Sequence, residues 1–348
     1  MPPFPPRVDL TALGPLGPSL SGGAGGESIG VYPILSHAGY LLKRYRGPLG
    51  DSDSKRLARL IAFPRKLAAP ECDRLFEHVS WPVAQVTESG RSVGCVLPAA
   101  DEKYRWELLL TSGPKRVLLT IDWLARSGPD QEKRGVPAVS TQDRMTLCSK
   151  IVAIADLFDR HNIVYGDWSY ANAFWSPRDL SVYIIDTDSC SFSPRPMFGT
   201  RDFEEPFHDG YADKFTDRYR VALLVARCVT GERDRARILA AIDELSLKGG
   251  CATVASTLND ILRRASRTER ASRPHLRFLL HALNGSVVKG EVQVRNTPRG
   301  PAASPLKGSV PARPGDRTRP GGAAGASAPA DGNGTSKYRK IMRDLFGK

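Results

Sequence analysis

The chain has 348 residues, 41% hydrophobic and 25% charged, with a formal net charge of +13, enough for one two-lobed domain or two small ones. No apolar run approaches the roughly 18 residues that a membrane-spanning helix needs, and the N-terminus lacks the apolar core of a secretory signal. The six cysteines are scattered without a Cys-x-x-Cys pair, which argues against a zinc site or a disulfide framework and favours a reducing cytoplasm.

The first forty-five residues predict an extension, a glycine-rich stretch and two strands. Residues 1–20 are rich in Pro and Leu, and we expect this N-terminal extension to pack loosely on the domain that follows. Strands are predicted over 31–35 and 40–45. The glycine-rich stretch before them gives the backbone the freedom to approach a ligand closely. Its glycines are Gly22, Gly23, Gly25, Gly26 and Gly30.

Two short helices and a hairpin complete the N-terminal part. Apolar spacing predicts helices over 54–62 and 71–79. Two apolar runs, 83–86 and 92–97, flank Ser89-Gly90 and predict a β-hairpin. These elements together predict a small sheet-rich lobe over residues 21–98.

Residues 99–285 are predicted to form a larger, mainly helical lobe. The longest periodic segment, 141–161, leads into a polar loop that contains Asp167. Gly231 marks the end of a further helix. The predicted helices cover 115–126, 141–161, 215–230, 235–247, 254–266 and 275–283. The fold class predicted for the whole chain is therefore α+β.

The segment from Tyr165 to Asp188 carries the pattern with the clearest chemical meaning. Asp167 lies in the polar loop, Asn172 follows five residues later, and Asp186 ends the apolar run 182–185. Three oxygen-bearing side chains that converge in this way suit phosphoryl transfer. One accepts the proton of a hydroxyl group, and two hold Mg²⁺ on the phosphates of a nucleotide.

This pattern resembles the protein-kinase-like superfamily, in which the catalytic loop H-R-D-x-x-x-x-N precedes D-F-G. The spacing of Asp and Asn matches, but Tyr165 and Gly166 stand where the superfamily has His and Arg, and Thr187-Asp188 stands for Phe-Gly. The Asp-x-Asp-Ser form is similar to a bacterial, actinobacterial-type branch of protein kinases. The resemblance implies a two-lobed fold, with a small antiparallel-β N-lobe and a larger helical C-lobe.

The resemblance also implies roles for single residues, with ATP and Mg²⁺ as cofactors. Asp167 would orient the attacking hydroxyl group and accept its proton, and Asn172 and Asp186 would hold Mg²⁺. Lys43 would bind the α- and β-phosphates. Val96 and Leu97 would begin a hinge, residues 96–99, beside the adenine. The glycine-rich loop would cover the phosphates through Gly23, Gly25, Gly26 and Gly30.

Further matches occur in the order that the superfamily predicts. Gly199-Thr200 and the following residues to Pro206 resemble the end of an activation segment, although the final order is Glu-Pro where the superfamily has Pro-Glu. Asp217 resembles the aspartate that anchors the backbone of the catalytic loop, and Arg273 resembles the arginine that pairs with the glutamate of the activation segment, here Glu205. The glutamate that should hold Lys43 is the weak point, because residues 54–62 contain none. Glu71 and Glu77 are both open candidates.

The C-terminal residues predict a basic tail. Residues 286–348 hold 12 Lys and Arg against 4 Asp and Glu, a net charge of +8. Residues 286–336 are rich in Pro, Gly, Ala and Ser without periodicity, which predicts a disordered linker. Residues 337–348 have an amphipathic pattern that fits a short helix. Such a tail suits an acidic partner or an anionic surface, and no specific nucleic-acid motif is present.

The sequence therefore predicts a cytoplasmic Ser/Thr protein kinase that acts on a protein substrate. Two alternatives stay open. The missing glutamate, Tyr165 and Asp188 suit a pseudokinase that binds nucleotide or a partner without catalysis. Tyr165-Gly166-Asp167 also resembles the loop of small-molecule kinases of the aminoglycoside-phosphotransferase type.

Overall fold

The computed structural model describes residues 3–20, 28–197 and 202–295, with side chains to residue 285. Predictions for Gly23, Gly25 and Gly26, for Gly199-Thr200 and for the chain from residue 296 onward fall outside the described residues. Within them, the fold is α+β, with a small sheet near the N-terminus and helices after it. This arrangement agrees with the predicted fold class at that level.

A five-stranded sheet occupies the N-terminal part, in the order β1-β4-β5-β3-β2. Neighbouring strands are antiparallel except for β1 and β4. The predicted hairpin is confirmed: β4 and β5 join through Ser89 and Gly90, which both have positive φ, as a tight hairpin turn requires. The strands are β1 (Arg7–Asp9), β2 (Ser28–Pro33), β3 (Tyr40–Tyr45), β4 (Ala84–Glu88) and β5 (Arg91–Pro98).

The N-terminal extension is more tightly integrated than the sequence predicted. β1 pairs with β4 at one edge of the sheet, whereas the Gly17 N–H donates to the Pro33 carbonyl at the opposite edge, at 2.8 Å. Leu13, between these two points, is fully buried and belongs to the core beneath the sheet. Residues 7–20 therefore cross the sheet and cover both edges, because exposed edge strands and apolar side chains gain from pairing and burial.

Two helices follow β3, close to the predicted positions. They are α1 (Asp51–Ala62) and α2 (Ala69–His78). α1 buries Leu57, Leu60 and Ile61 on one face, and this apolar stripe is the reason why it packs against the sheet. The indole N–H of Trp81 donates to the Leu60 carbonyl at 2.9 Å and links α1 to the chain that enters the sheet.

The helix predicted over 115–126 is wrong. The chain forms an antiparallel pair, β6 (Arg105–Leu110) and β7 (Gly113–Leu118), followed by a 3₁₀ turn over Ile121–Ala125. Gly113 has a φ of +106°, a turn conformation that an L side chain rarely adopts. The apolar residues after it form a short continuous run, and such a run fits a strand as well as a helix.

The remaining helices form the larger part of the fold. They are α3 (Gly128–Lys133), α4 (Thr141–Arg160), α5 (Lys214–Thr230), α6 (Ile238–Ser246), α7 (Ala252–Arg263) and α8 (Leu276–Arg295). α5 begins with a capping box between Asp213 and Thr216 and ends at Gly231 in the left-handed conformation, as predicted. α4 and α5 contribute buried residues along most of their length to one extended apolar core.

The last helix is longer than predicted, and two small hairpins lie before α5. α8 continues to Arg295, so the linker predicted to begin at residue 286 is wrong for its first ten residues. Two small hairpins lie between α4 and α5: β8 (Ala173–Trp175) with β9 (Val182–Ile184), and β10 (Arg195–Pro196) with β11 (Tyr211–Ala212). In the part of the chain that is described, no helix is both long and apolar enough to cross a membrane.

Candidate active site

The β8–β9 hairpin brings Asp167, Asn172 and Asp186 to one place. Ala173 pairs with Ile184, and the Ile185 N–H donates to the Asn172 carbonyl at 3.0 Å. Asn172 therefore stands opposite Ile185 at the open end of the hairpin, and Asp186 is the next residue of the chain. The Asn172 amide nitrogen donates to Oδ2 of Asp167 at 2.8 Å and to its carbonyl at 3.0 Å. These two bonds fix the orientation of the Asn172 amide and leave its own oxygen, Oδ1 of Asn172, as the atom that could bind a cation.

Asp217 anchors the backbone of the loop, as predicted. Its carboxylate accepts hydrogen bonds from the N–H groups of Tyr165 at 2.7 Å and Gly166 at 2.8 Å. Burial raises the pKa of Asp217 to about 7, although the two N–H donors and the charge of Arg220 act in the opposite direction. An acid on α5 thus holds the loop in place through two amides at once.

The two departures from the H-R-D pattern have local structural reasons. The Tyr165 hydroxyl donates to the Ile185 carbonyl at 2.6 Å, so this side chain ties the loop to the residue before Asp186. Gly166 has a φ of +70°, and a Cβ there would come within 3.2 Å of the Ala212 Cβ. A larger residue is therefore disfavoured at position 166.

Lys43 reaches this site from β3. Its ammonium group donates to Oδ1 of Asp186 and, at 2.7 Å, to Oδ1 of Asp188, which joins the sheet to a segment more than 140 residues away in sequence. Burial lowers the pKa of Lys43, but the two carboxylates outweigh it and hold the pKa above its ordinary value. Asp186 has a φ of +63° in the left-handed region, a backbone strain that is often found at functional sites.

Neither glutamate considered as the partner of Lys43 occupies that position. Glu71 is bound by Arg160 of α4 at 2.6 Å, and the carboxylate of Glu77 lies 3.8 Å from Nε2 of its neighbour His78. That expectation is wrong, because Asp188 supplies the carboxylate instead. The available signal was the second acid of Asp186-Thr187-Asp188. A 3₁₀ turn over Thr187–Ser189 lets both carboxylates of this short segment meet one ammonium group.

Two further residues of this cluster were not predicted. The Tyr45 hydroxyl, two residues from Lys43 on the same strand face, donates to Oδ2 of Asp188 at 3.0 Å. Arg56 of α1 donates to the carbonyls of Asp188 at 2.7 Å and Cys190 at 2.9 Å. The i, i+2 spacing of Lys43 and Tyr45 was a visible signal. The reach of Arg56 depends on tertiary packing and left none.

The predicted hinge residues lie inside the sheet. Val96 and Leu97 belong to β5, the Val96 carbonyl accepts from the Val83 N–H at 2.9 Å, and Leu97 stands opposite Leu41 of β3. The Ala99 N–H donates to the Gly39 carbonyl at 2.8 Å. The chain leaves the strand only after Pro98, so a connection between sheet and helices begins later than the sequence predicted.

Of the predicted phosphate-covering glycines, Gly30 is the one within the described residues. It stands opposite Arg44, and its neighbour Val31 stands opposite Lys43. A Cβ at Gly30 would lie only 2.6 Å from the Tyr32 hydroxyl oxygen, so a side chain there would displace that ring. Gly30 thus lies one step along the ladder from the candidate phosphate-binding amine.

The predicted pair of Glu205 and Arg273 is present and sealed from solvent. The Arg273 guanidinium donates to Oε2 of Glu205, and both side chains are 0% exposed. Arg270 adds a second bond to Glu205 at 2.6 Å and also binds Asp213 at 2.9 Å, contacts that the sequence did not predict. The chain after residue 202 is therefore fixed to the start of α5 and to the residues before α8.

The donor set suits a hard divalent cation bound together with a ligand. Asp186 offers a carboxylate and Asn172 an amide oxygen, the donor types that Mg²⁺ prefers. Over the described ranges, no group of three or more His, Cys, Asp or Glu side chains could hold a metal ion by itself. Phosphate oxygens and water would have to complete such a site, as is common for Mg²⁺ bound with a nucleotide.

Comparisons with known proteins add no further assignment. No family model matches the chain, and no curated protein matches it. The functional argument therefore depends on the residues and contacts described above.

Proposed function

We propose that the protein is an ATP-dependent phosphotransferase of the protein-kinase-like type that acts on Ser or Thr hydroxyl groups of proteins. The observation that carries the proposal is the ion pair between Lys43 and Asp186. These are the residues to which the resemblance assigns phosphate binding and metal binding. Their contact agrees with that assignment, and Asp167 and Asn172 lie at the other end of the same segment.

A kinase-like arrangement of two lobes is part of the proposal. Three features support it: a mainly antiparallel sheet that carries Lys43, a long buried α5 whose Asp217 holds the loop of Asp167, and the sealed pair of Glu205 and Arg273. Each corresponds to a motif that resembles the superfamily. Their contacts join distant parts of the sequence in the pairs that the resemblance implies.

The chemistry requires few residues. Asp167 would accept a hydrogen bond from the attacking hydroxyl group and take its proton, while the amide of Asn172 keeps that carboxylate oriented. Asp186 and Asn172 would hold Mg²⁺, which supplies charge neutralisation at the phosphates. Lys43 would add a second positive charge there. Because positioning and electrostatic stabilisation dominate phosphoryl transfer, this set is sufficient.

A protein acceptor is favoured over a small molecule by the ion pairs of Glu205. In the superfamily that the sequence resembles, this part of the chain organises the surface on which a peptide lies. Here Arg270 and Arg273 both bind Glu205 in a buried setting. Such rigid anchoring has a purpose if a polypeptide substrate must be held near Asp167.

The contacts also weaken the case for a protein without catalysis. That alternative depended on the missing glutamate and on the unusual residues Tyr165 and Asp188. Asp188 contacts Lys43, and Tyr165 joins the loop to Ile185. Both departures therefore have a place in the site.

Phosphoryl transfer from labelled ATP tests the proposal. The purified full chain is incubated with Mg²⁺ and labelled ATP, with mixed protein acceptors and, in parallel, with aminoglycosides. We expect label in protein, and Asp167→Ala should reduce it by roughly 10²- to 10⁴-fold. Asp260→Ala, an exposed acid on α7, is the matched control and should transfer at the wild-type rate. Transfer to aminoglycosides alone would overturn the choice of acceptor, and no transfer at all would overturn catalysis.

A further inference from the structure

The two aspartates that contact Lys43 are in different surroundings. The Asp186 side chain is 25% exposed and directly follows Ile185, whose N–H donates to the Asn172 carbonyl. The Asp188 side chain is only 4% exposed. One of its oxygens accepts from Lys43 at 2.7 Å and the other from the Tyr45 hydroxyl at 3.0 Å. Asp188 thus has both oxygens engaged by a strand of the sheet.

The backbone around Asp188 is fixed as well. Arg56 of α1 donates to the Asp188 carbonyl at 2.7 Å. The Thr187 hydroxyl, fully buried, donates to the Ser80 carbonyl at 2.7 Å. Asp188 is therefore held from α1, from β3 and from the chain that enters β4.

We propose that Asp188 is the permanent counter-charge that positions Lys43, whereas Asp186 is an exchangeable one that leaves Lys43 for a divalent cation when nucleotide phosphates bind. This inference rests on the proposed function and names the residue on which its phosphate-binding amine depends. It makes Asp188 a positioning residue that acts through Lys43.

Electrostatics explain why two carboxylates are needed. Lys43 is almost fully buried, and a buried charge that loses its partner is strongly destabilised. If Asp186 were the only acid, its move to the cation would take the one protein carboxylate from Lys43, and only the phosphates would then hold the ammonium group in position. With Asp188 in place, the ammonium group stays paired while Asp186 turns to the cation. The cluster of one ammonium and two carboxylates has one excess negative charge, which favours the arrival of a cation.

Calorimetric titration of ATP at a series of Mg²⁺ concentrations tests this division of roles. The change is Asp188→Asn, which keeps the shape and removes the charge. The Mg²⁺ concentration that gives half-maximal ATP binding should rise on the order of tenfold, because Lys43 then retains Asp186. The matched control is Asp260→Asn, the same change at an exposed acid on α7 outside the cluster. Its Mg²⁺ midpoint should stay within about threefold of wild type.

A second readout needs neither metal nor nucleotide. Urea unfolding in EDTA is compared for Lys43→Met, Asp188→Asn and the double variant. If the two side chains are partners, the double variant should lose less stability than the two single variants together. Strict additivity would overturn the pairing.

The outcomes separate this inference from the proposed function. Wild-type protein that does not bind ATP with Mg²⁺ would overturn the function. Wild-type protein that binds, together with an Asp188→Asn variant of unchanged Mg²⁺ midpoint, would overturn the inference alone. If Asp188→Asn does not fold, Asp188→Glu replaces it. This variant keeps the charge and should stay within about threefold of wild type, and a tenfold rise would overturn the inference.

Discussion

Two largely buried ion clusters join distant parts of the chain, and they differ in charge balance. The Lys43 cluster has one cation and two carboxylates, one of them 25% exposed. The Glu205 cluster joins Arg270 and Arg273 to Glu205 and Asp213, so that its charges balance, and Glu205 and Arg273 are sealed from solvent. Asp213, at the rim of the Glu205 cluster, is itself 22% exposed, so exposure alone does not separate the two clusters. The difference lies in charge: a cluster with one excess negative charge can receive a cation, whereas a cluster whose charges balance has no excess charge to neutralise.

The largest effect should follow from a change in the Lys43 cluster that leaves the fold intact. Asp186→Asn removes the carboxylate assigned to Mg²⁺ while Asp188 still pairs with Lys43. We expect phosphoryl transfer to fall by at least roughly 10³-fold, since electrostatic stabilisation is the main source of catalysis at such sites. Transfer from labelled ATP and a thermal melt give the two quantities. Transfer at the wild-type rate would remove Asp186 from the mechanism.

A change in the Glu205 cluster should instead lower stability. Glu205→Gln leaves Arg273 and Arg270 without a full counter-charge in a buried place. We expect the free energy of unfolding to fall by about 3–5 kcal/mol, measured by urea unfolding, because breaking one side of a buried pair is costly. The exposed pair of Arg263 and Asp243 offers a control, since Asp243→Asn should cost less than about 1 kcal/mol. Equal losses for the two variants would contradict the structural role of the Glu205 cluster.

The pH dependence of stability gives a smaller test, at Asp217, the acid that holds the backbone at Tyr165 and Gly166. The pKa of Asp217 is raised from 3.8 to about 7, so between these values the folded protein binds a proton that the unfolded chain has released. The contribution of Asp217 to the free energy of unfolding should therefore fall as pH rises from about 4 to about 7, and stay constant above. Urea unfolding of wild type and Asp217→Asn at several pH values isolates it. The free energy of unfolding of wild type minus that of Asp217→Asn should fall over this pH range, and a value that rises with pH would contradict the raised pKa.

The smallest effect should come from removal of the chain after Arg295. Up to residue 336 its composition lacks the apolar periodicity that a core contribution requires, and the amphipathic segment 337–348 is short. The cut must follow Arg295 because α8 extends that far. We expect a melting temperature within about 2 °C of wild type and unchanged ATP affinity. A drop of several degrees would show that the predicted helix at 337–348 packs on the folded part.

The sequence predicted the elements with strong local signals and missed those that depend on partners. The i, i+5 spacing of Asp167 and Asn172, the terminal glycine of α5 and the Ser89-Gly90 turn are local features, and the structure contains each of them. The resemblance predicted that Asp217 anchors the loop backbone and that Glu205 pairs with Arg273, and both contacts are present. The site is thus predictable where motif spacing sets it.

Other features depend on neighbours that a single sequence does not reveal. The apolar run near 117 became a strand because β6 lies beside it. The N-terminal extension became part of the sheet because both of its edges needed a partner. The resemblance predicted a glutamate on a helix as the partner of Lys43, whereas Asp188, two residues after Asp186, takes that position. These results depend on long-range packing, which overrides local preference.

The most direct test of the central claim is ATP affinity measured by calorimetry in Mg²⁺ and in EDTA. The claim is that the Lys43 cluster is an open site that receives a nucleotide together with a cation. Wild-type protein should bind ATP at least about tenfold more tightly in Mg²⁺ than in EDTA, and Asp186→Asn should lose this difference. The same affinity in both solutions, or a Mg²⁺ effect that Asp186→Asn retains, would contradict the account.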